Sequence, residues 1–423
     1  MSNKTFGPGP QQHLNAVVGK GWAFDKQVSY ATGFEQAVNV LLAAGVSESY
    51  VDPETGEQAY VAIDALVYPI CFCARHFIEL FLKREIGRVS ALRGDKRRDA
   101  AGTHDLGELW DILKQYLSFD RRLPPAAAVL EEYVTEFDTI DATGETFRYA
   151  ANRQNEAHLG EHSYINIAKL AKRFNELTEH ANHFEALVDY LTEEYRCKTY
   201  TAKLSRADIS TIAGKLPPAS RWSTEEFSSA RTALMTEFEL SSNDFSKAVA
   251  IIKKNRELSL KIGVEIPLQD ITTDLLIAIK NISEDKARHD QVTAEQWCSL
   301  AAVCDIARSH YFCEDYEGLK STYLSTDFDG YVYPPHVVRD LVSRGKIFAG
   351  GLEKLGQTTL KEKFEELFPE PPVQPRLSME EQMKSFLKAQ RSARFKRRIK
   401  RTIGWLCKPL LRCFSPRKSK SSQ

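Results

Sequence analysis

The stretch YPICFCARHFIELFLK, residues 68–83, decides the fold. It is apolar nearly all round, the composition of a helix enclosed by other helices and not of a surface helix with a single apolar stripe. Pro69 sits where a proline is tolerated, so the helix is expected to have its first turn there. The polar exceptions carry the information. His76, Glu79 and Lys83 follow one another at spacings of three and four and so share one stripe, with Arg75 at its border. Charges on an enclosed helix need partners, because burying a lone charge costs more than folding can offset. The nearest suitable polar runs are THDLGELW (103–110) and DATGETFRY (141–149). His76, Glu79, His104 and Arg148 are therefore expected in one polar neighbourhood between helices. Such a set reads either as a satisfied structural network or as a pocket that holds a nucleotide or RNA phosphate through Arg75 and Arg148.

Outward from this helix the three-and-four periodicity continues. Leu106, Leu109, Trp110, Leu113 and Leu117 line one helical face, as do Val129, Leu130, Tyr133, Val134, Phe137 and Ile140. From about residue 163 to 195 a stripe including Ile167, Phe174, Leu177, Phe184 and Leu191 runs without Gly or Pro, as expected of a helix linking two domains. Beyond Cys197 the segments shorten, punctuated by Pro217, Pro218 and Pro267. Ser223 with Glu226, Thr293 with Gln296 and Ser378 with Glu381 have the spacing of reciprocal helix caps. Alternating strand patterns are scarce, so the chain reads as all-α. The expected order is a flexible N-terminus (1–24), a helical bundle (25–197), a second helical module (198–368), a Pro-rich linker (369–377) and a basic helical tail (378–423).

Composition bounds the function classes. With 423 residues, 27% charged and 10% aromatic, the chain has ample material for a core and is not disordered throughout. The opening MSNKTFGPGPQQH lacks the basic start and apolar middle of a secretory signal, and no stretch of about 18 uninterrupted apolar residues occurs, so a cytoplasmic location is expected. The eight cysteines form no C-x-x-C pair, which reads as ordinary thiols. AGGLEKLG (349–356) lacks the Lys and Ser/Thr of a phosphate loop, and neither metal nor cofactor is expected. Zero net charge hides an asymmetry. After Glu381 there are fourteen Lys and Arg and no acid, which leaves residues 1–381 at −14. Arg394, Lys396, Arg397, Arg398, Lys400 and Arg401 head a segment that also carries Phe395, Ile399, Trp405 and Leu406. It suits an anionic membrane surface, RNA, or no partner beyond water.

In the ordered set Glu79 and Lys83, then His104, Asp105 and Leu106, then Arg148 and Tyr149, the sequence resembles HEPN domains over about residues 25–195. That resemblance implies a four- or five-helix bundle, a homodimer and, in the catalytic members, a metal-independent ribonuclease acting in RNA-directed defence or stress response. Such members use an Arg and a His separated by four to six residues. RQNEAH supplies Arg153 and His158, with His158 as acid or base on a ribose hydroxyl and Arg153 on the phosphate. Gln154 after the Arg and Ala150 after the Arg-Tyr pair depart from the family pattern. Non-catalytic HEPN domains imply the alternative of an adaptor that binds proteins or nucleotides. HLGEH (158–162) is formally an inverted zinc-peptidase string, but Gly160 weakens the helix that string requires, and coincidence is the better reading.

Overall fold

The structure is a computed structural model and describes residues 7, 9–17, 26–149, 158–159, 164–308, 310–326, 332 and 334–369. Helix α1 (Lys26–Ser47) leads through a hairpin, β1 (Ser49–Val51) and β2 (Gln58–Tyr60), into α2 (Ile63–Ala91). The hairpin was not anticipated. Its strands are antiparallel with Ser49 opposite Tyr60, and at three residues each they are too short to imprint an alternating pattern. The turn between them closes on Asp52, whose carboxylate accepts from the Glu54 and Thr55 amides at 2.8 and 3.1 Å.

Helix α2 corrects one expectation. It begins at Ile63, so Pro69 lies inside it and not in its first turn. Ile63, Leu66 and Val67 continue the apolar run backward, and a proline this near the start removes one amide bond without ending the helix. α3 (Leu106–Leu117), α4 (Leu123–Asp141) and α5 (Ile167–Arg196) complete the bundle. Ile70, Leu82 and Ile86 of α2 meet Leu106, Leu109 and Leu113 of α3 and Phe184, Val188 and Leu191 of α5 in one buried cluster. By length and composition α2 could cross a membrane, yet fifteen of its residues are buried here among helices.

After α5 the chain turns through Lys198, in left-handed backbone, into shorter helices. These are α6 (Arg206–Lys215), α7 (Glu225–Glu237), α8 (Ser242–Lys254), α9 (Arg256–Lys261), α10 (Thr273–Ser283), α11 (Ala294–Ile306), α12 (Tyr316–Ser325), α13 (Pro334–Ser343), α14 (Gly345–Lys354) and α15 (Thr358–Leu367). α8 and α9 are separate helices because Asn255 ends α8 and caps α9 by accepting from the Leu258 amide at 2.9 Å. The Thr293 cap forms as expected, whereas α7 starts after Thr224 and the Ser223 cap does not form. Ser205 with Asp208 and Ser241 with Asp244 make reciprocal caps with the shorter acid.

A second apolar cluster gathers Leu204, Ile209, Ile212, Phe245, Ile252 and Leu258. Within it buried Arg206 bonds Glu257 at 2.6 Å and Glu314 at 3.0 Å, while Thr199 donates to Glu314 at 2.5 Å, and Arg196 at the end of α5 reaches Asp315 at 2.7 Å. The chain divides into two compact units, Met1–Phe364 and Glu365–Gln423. Of the second, residues 365–369 are described, so the tail bases Arg394, Lys396, Arg397, Arg398, Lys400 and Arg401 lie outside the described residues, as does the Ser378 cap. The described chain is all-α apart from the hairpin.

Candidate functional site

Glu79, in the middle of α2, is almost fully buried and receives four partners. Lys83 Nζ donates to Oε1 at 2.8 Å, His104 Nδ1 lies 2.7 Å from the same oxygen, His76 Nδ1 stands 3.6 Å from Oε2, and Arg75 Nη1 closes on Oε2. Burial by itself raises the Glu79 pKa, but the hydrogen bonds from His76, Lys83, His104 and Arg75 together outweigh it and hold the carboxyl well below the usual carboxylate range. Asp105 next to His104 does a different task, capping α3 by accepting from the Glu108 amide at 2.8 Å.

Arg75 spends its whole guanidinium inward. Nε donates to the Asp141 carbonyl at 3.1 Å, Nη2 to the Ala142 carbonyl at 2.6 Å and also to the His104 carbonyl. It thereby ties the end of α4 to the start of α3, satisfying carbonyls that a helix end leaves open. The approach is close. Gly144 has φ +83, and a Cβ there would stand 3.3 Å from the guanidinium, so both backbone and space call for glycine. Arg75 is 1% exposed and has no face left for a phosphate.

Arg148 lies beside this network, not in it. The Arg-Tyr pair falls in a turn after α4, where Arg148 Nε donates to the Gly144 carbonyl at 2.6 Å and its guanidinium lies over the Phe72 and Tyr149 rings at 5.7 and 5.5 Å. Among the described residues it has no carboxylate partner. Gly144 thus joins the two arginines, one facing in and one facing out.

Arg148 lines a cleft of about 890 Å³ together with Asp64, Tyr68, Tyr149, His158 and Tyr164. The tyrosines are 48, 58 and 96% exposed in that order, and three exposed rings around one arginine make a surface on which bases can stack. His158 occupies a turn. Its Nε2 is closed off from solvent and has no hydrogen-bond partner among the described residues, a costly state for a buried polar atom. Leu159, next to it, holds left-handed backbone at φ +60, which fixes a bend here that a continuing helix would not allow. Arg153 lies outside the described residues, and so do Glu161 and His162 of the HLGEH string. Among the described residues no group of three or more His, Cys, Asp or Glu is placed to hold a metal ion.

The structure brings together Arg75, His76, Glu79, Lys83 and His104, places Asp105 at a helix cap and sets Arg148 with His158 in the cleft. Sequence reading missed Asp64, Tyr68 and Tyr164 as cleft residues. Tyr68 was taken as part of the enclosed helix, and nothing in the periodicity marks the loop tyrosine. It also missed a second buried charge ladder on α2, where Arg84 bonds Glu85 at 2.7 Å and Glu185 at 2.6 Å. No protein-family model, curated protein or solved structure matches the chain.

Proposed function

We propose that the cleft of the first bundle binds single-stranded RNA and cleaves it without a metal ion. The observation that carries this reading is the Nε2 of His158, without a hydrogen-bond partner among the described residues, in a cleft shared with Arg148, which has no carboxylate partner among those residues. A buried imidazole nitrogen without a partner gains most from a ligand that restores the missing hydrogen bond. A ribose 2′-hydroxyl is such a ligand once RNA binding uncovers the nitrogen, which solvent does not reach in the free chain. The hydroxyl proton passes to His158 Nε2 as the oxygen attacks the adjacent phosphorus, the bond from phosphorus to the 5′-oxygen breaks, and the leaving oxygen takes its proton from water, to which His158 later returns its own. The products are a 2′,3′-cyclic phosphate and a 5′-hydroxyl. Arg148 holds the phosphate as charge builds on its oxygens, with Arg153 in the same role as the resemblance to HEPN nucleases implies. Tyr68, Tyr149 and Tyr164 stack the flanking bases. The basic segment 378–423 adds affinity for the RNA backbone without sequence preference. The working species is a homodimer in the cytoplasm.

The Glu79 network favours a second reading from another class. Every polar group there is used to hold helices together, as in a non-catalytic adaptor whose bundle binds a partner. Incubating the full chain with labelled single-stranded RNA in excess chelator separates the two. Cleavage that yields a cyclic phosphate, and that fails on the all-deoxy strand, supports the nuclease. Intact RNA at high enzyme concentration leaves the adaptor.

A further inference from the structure

A second cleft, remote in sequence from the first, opens among α11, α12, α13 and α14. Its volume is about 990 Å³, at the upper end of the roughly 300–1,000 Å³ typical of small-ligand pockets. Among the described residues Arg308, Arg339, Arg344 and Lys346 line it against two carboxylates, Asp305 and Asp340. The acids are already engaged. Asp305 takes Arg308 at 2.9 Å on one oxygen and the Tyr323 hydroxyl on the other. Asp340 meets Arg339 only at 3.4 Å. Arg344 has no side-chain partner among the described residues. Among the described residues the Arg344 charge is therefore left uncompensated inside a concave, partly apolar wall, where low dielectric and converging field lines strengthen attraction for an anion.

We propose that this cleft binds a phosphorylated small molecule, with Arg339 and Arg344 as the phosphate holders and Arg308 beside them. Arginine suits the task because its planar fork can meet two phosphate oxygens at once. The concave shape distinguishes the site from a nucleic-acid track, which needs its bases spread along a groove. Nothing in this assignment depends on the activity proposed for the first bundle.

Gly350 provides a clean test. It lines the cleft from the interior of α14, and a Cβ added there meets nothing within 4 Å. A side chain at 350 therefore enters the cleft without a clash, and replacing a mid-helix glycine favours the helix. The experiment is calorimetric titration of the full chain with pyrophosphate and ATP, with adenosine as the uncharged control. Because the basic segment 378–423 attracts any anion, the variants decide the outcome. Gly350→Glu and Arg344→Ala are each expected to weaken pyrophosphate binding at least tenfold, Gly350→Gln to stay within twofold of wild type, and adenosine not to bind. Three results would overturn the proposal. One is pyrophosphate affinity unchanged in both Gly350→Glu and Arg344→Ala. Another is no pyrophosphate binding at millimolar concentration. The third is a short RNA that binds more tightly than pyrophosphate and is lost in the same variants, which would give the cleft to nucleic acid. Melting curves show whether each variant is folded, and Arg344→Ala, on an exposed side chain, remains informative should Gly350→Glu melt early.

Discussion

His104 Nδ1 lies 2.7 Å from Glu79 Oε1, joining the loop before α3 to the middle of α2 across 25 residues of chain. The contact is one-sided in exposure. The Glu79 side chain is 3% exposed and that of His104 is 67% exposed, so the same bond means different things to its two partners.

Glu79→Ala leaves Arg75 and Lys83 beside a vacated, buried site, and removing one member of a buried ion pair costs about 3–5 kcal/mol. Urea unfolding of the variant is expected to show a loss of that size. His104→Ala removes a mostly solvated group and is expected to cost about 1 kcal/mol or less. Equal losses in the two variants would show that burial does not set the energy here.

Acid should reveal the same group. The Glu79 carboxyl titrates lower in the folded chain than in the unfolded one, so between the two values the unfolded state binds more protons and stability rises with pH. Its contribution is complete above the ordinary carboxylate pKa of about 4.3 and disappears as pH falls toward the folded value. Stability measured from pH 6 down to pH 3 should fall more steeply in the wild type than in Glu79→Gln. Parallel curves would show that Glu79 titrates alike in both states.

The two adjacent glycines of α14 are predicted to behave oppositely. A Cβ at Gly351 would collide with the Val303 carbonyl oxygen of α11, so Gly351→Ala forces the helices apart and should cost about 1–3 kcal/mol or more. Gly350→Ala meets no atom and should stabilise by roughly 0.5–1 kcal/mol. Thermal melts of the pair check both signs.

Burial raises the thiol pKa of Cys71 and of Cys313 to about 12 in each case, so neither forms thiolate at neutral pH. Iodoacetamide at pH 7.5, followed by peptide mass mapping, should leave both unmodified in the folded chain and modify them in urea. Rapid labelling of Cys71 in the native state would contradict its enclosure.

Much of this architecture was legible because it rests on local periodicity. The stripes of α3, α4 and α5, except for exposed Val129 on α4, and the enclosed character of α2 follow from spacing alone, and the histidine and lysine partners of Glu79 followed from the need to neutralise a buried charge. What escaped depends on longer-range or sub-threshold signals. The start of α2 was misplaced because Pro69 has two allowed positions relative to a helix start and only packing chooses between them. The hairpin at 49–60 is too short for a period. The roles of Arg75 and Arg148 could not be told apart by sequence, because the difference lies in the turn at Gly144, which aims one guanidinium inward and leaves the other at the cleft. Tyr164 reaches that cleft from a loop with no pattern of its own.

The most direct test of the account is the single-turnover cleavage rate of single-stranded RNA in excess chelator, measured with RNA binding for wild type, His158→Ala and Arg148→Ala. General acid–base catalysis typically contributes about 10²–10⁴-fold, so His158→Ala should lose that much rate while binding RNA within a few-fold of wild type. Arg148→Ala should lose both rate and affinity. A His158→Ala protein that cleaves as fast as wild type would contradict the assignment of His158 and with it the proposed site.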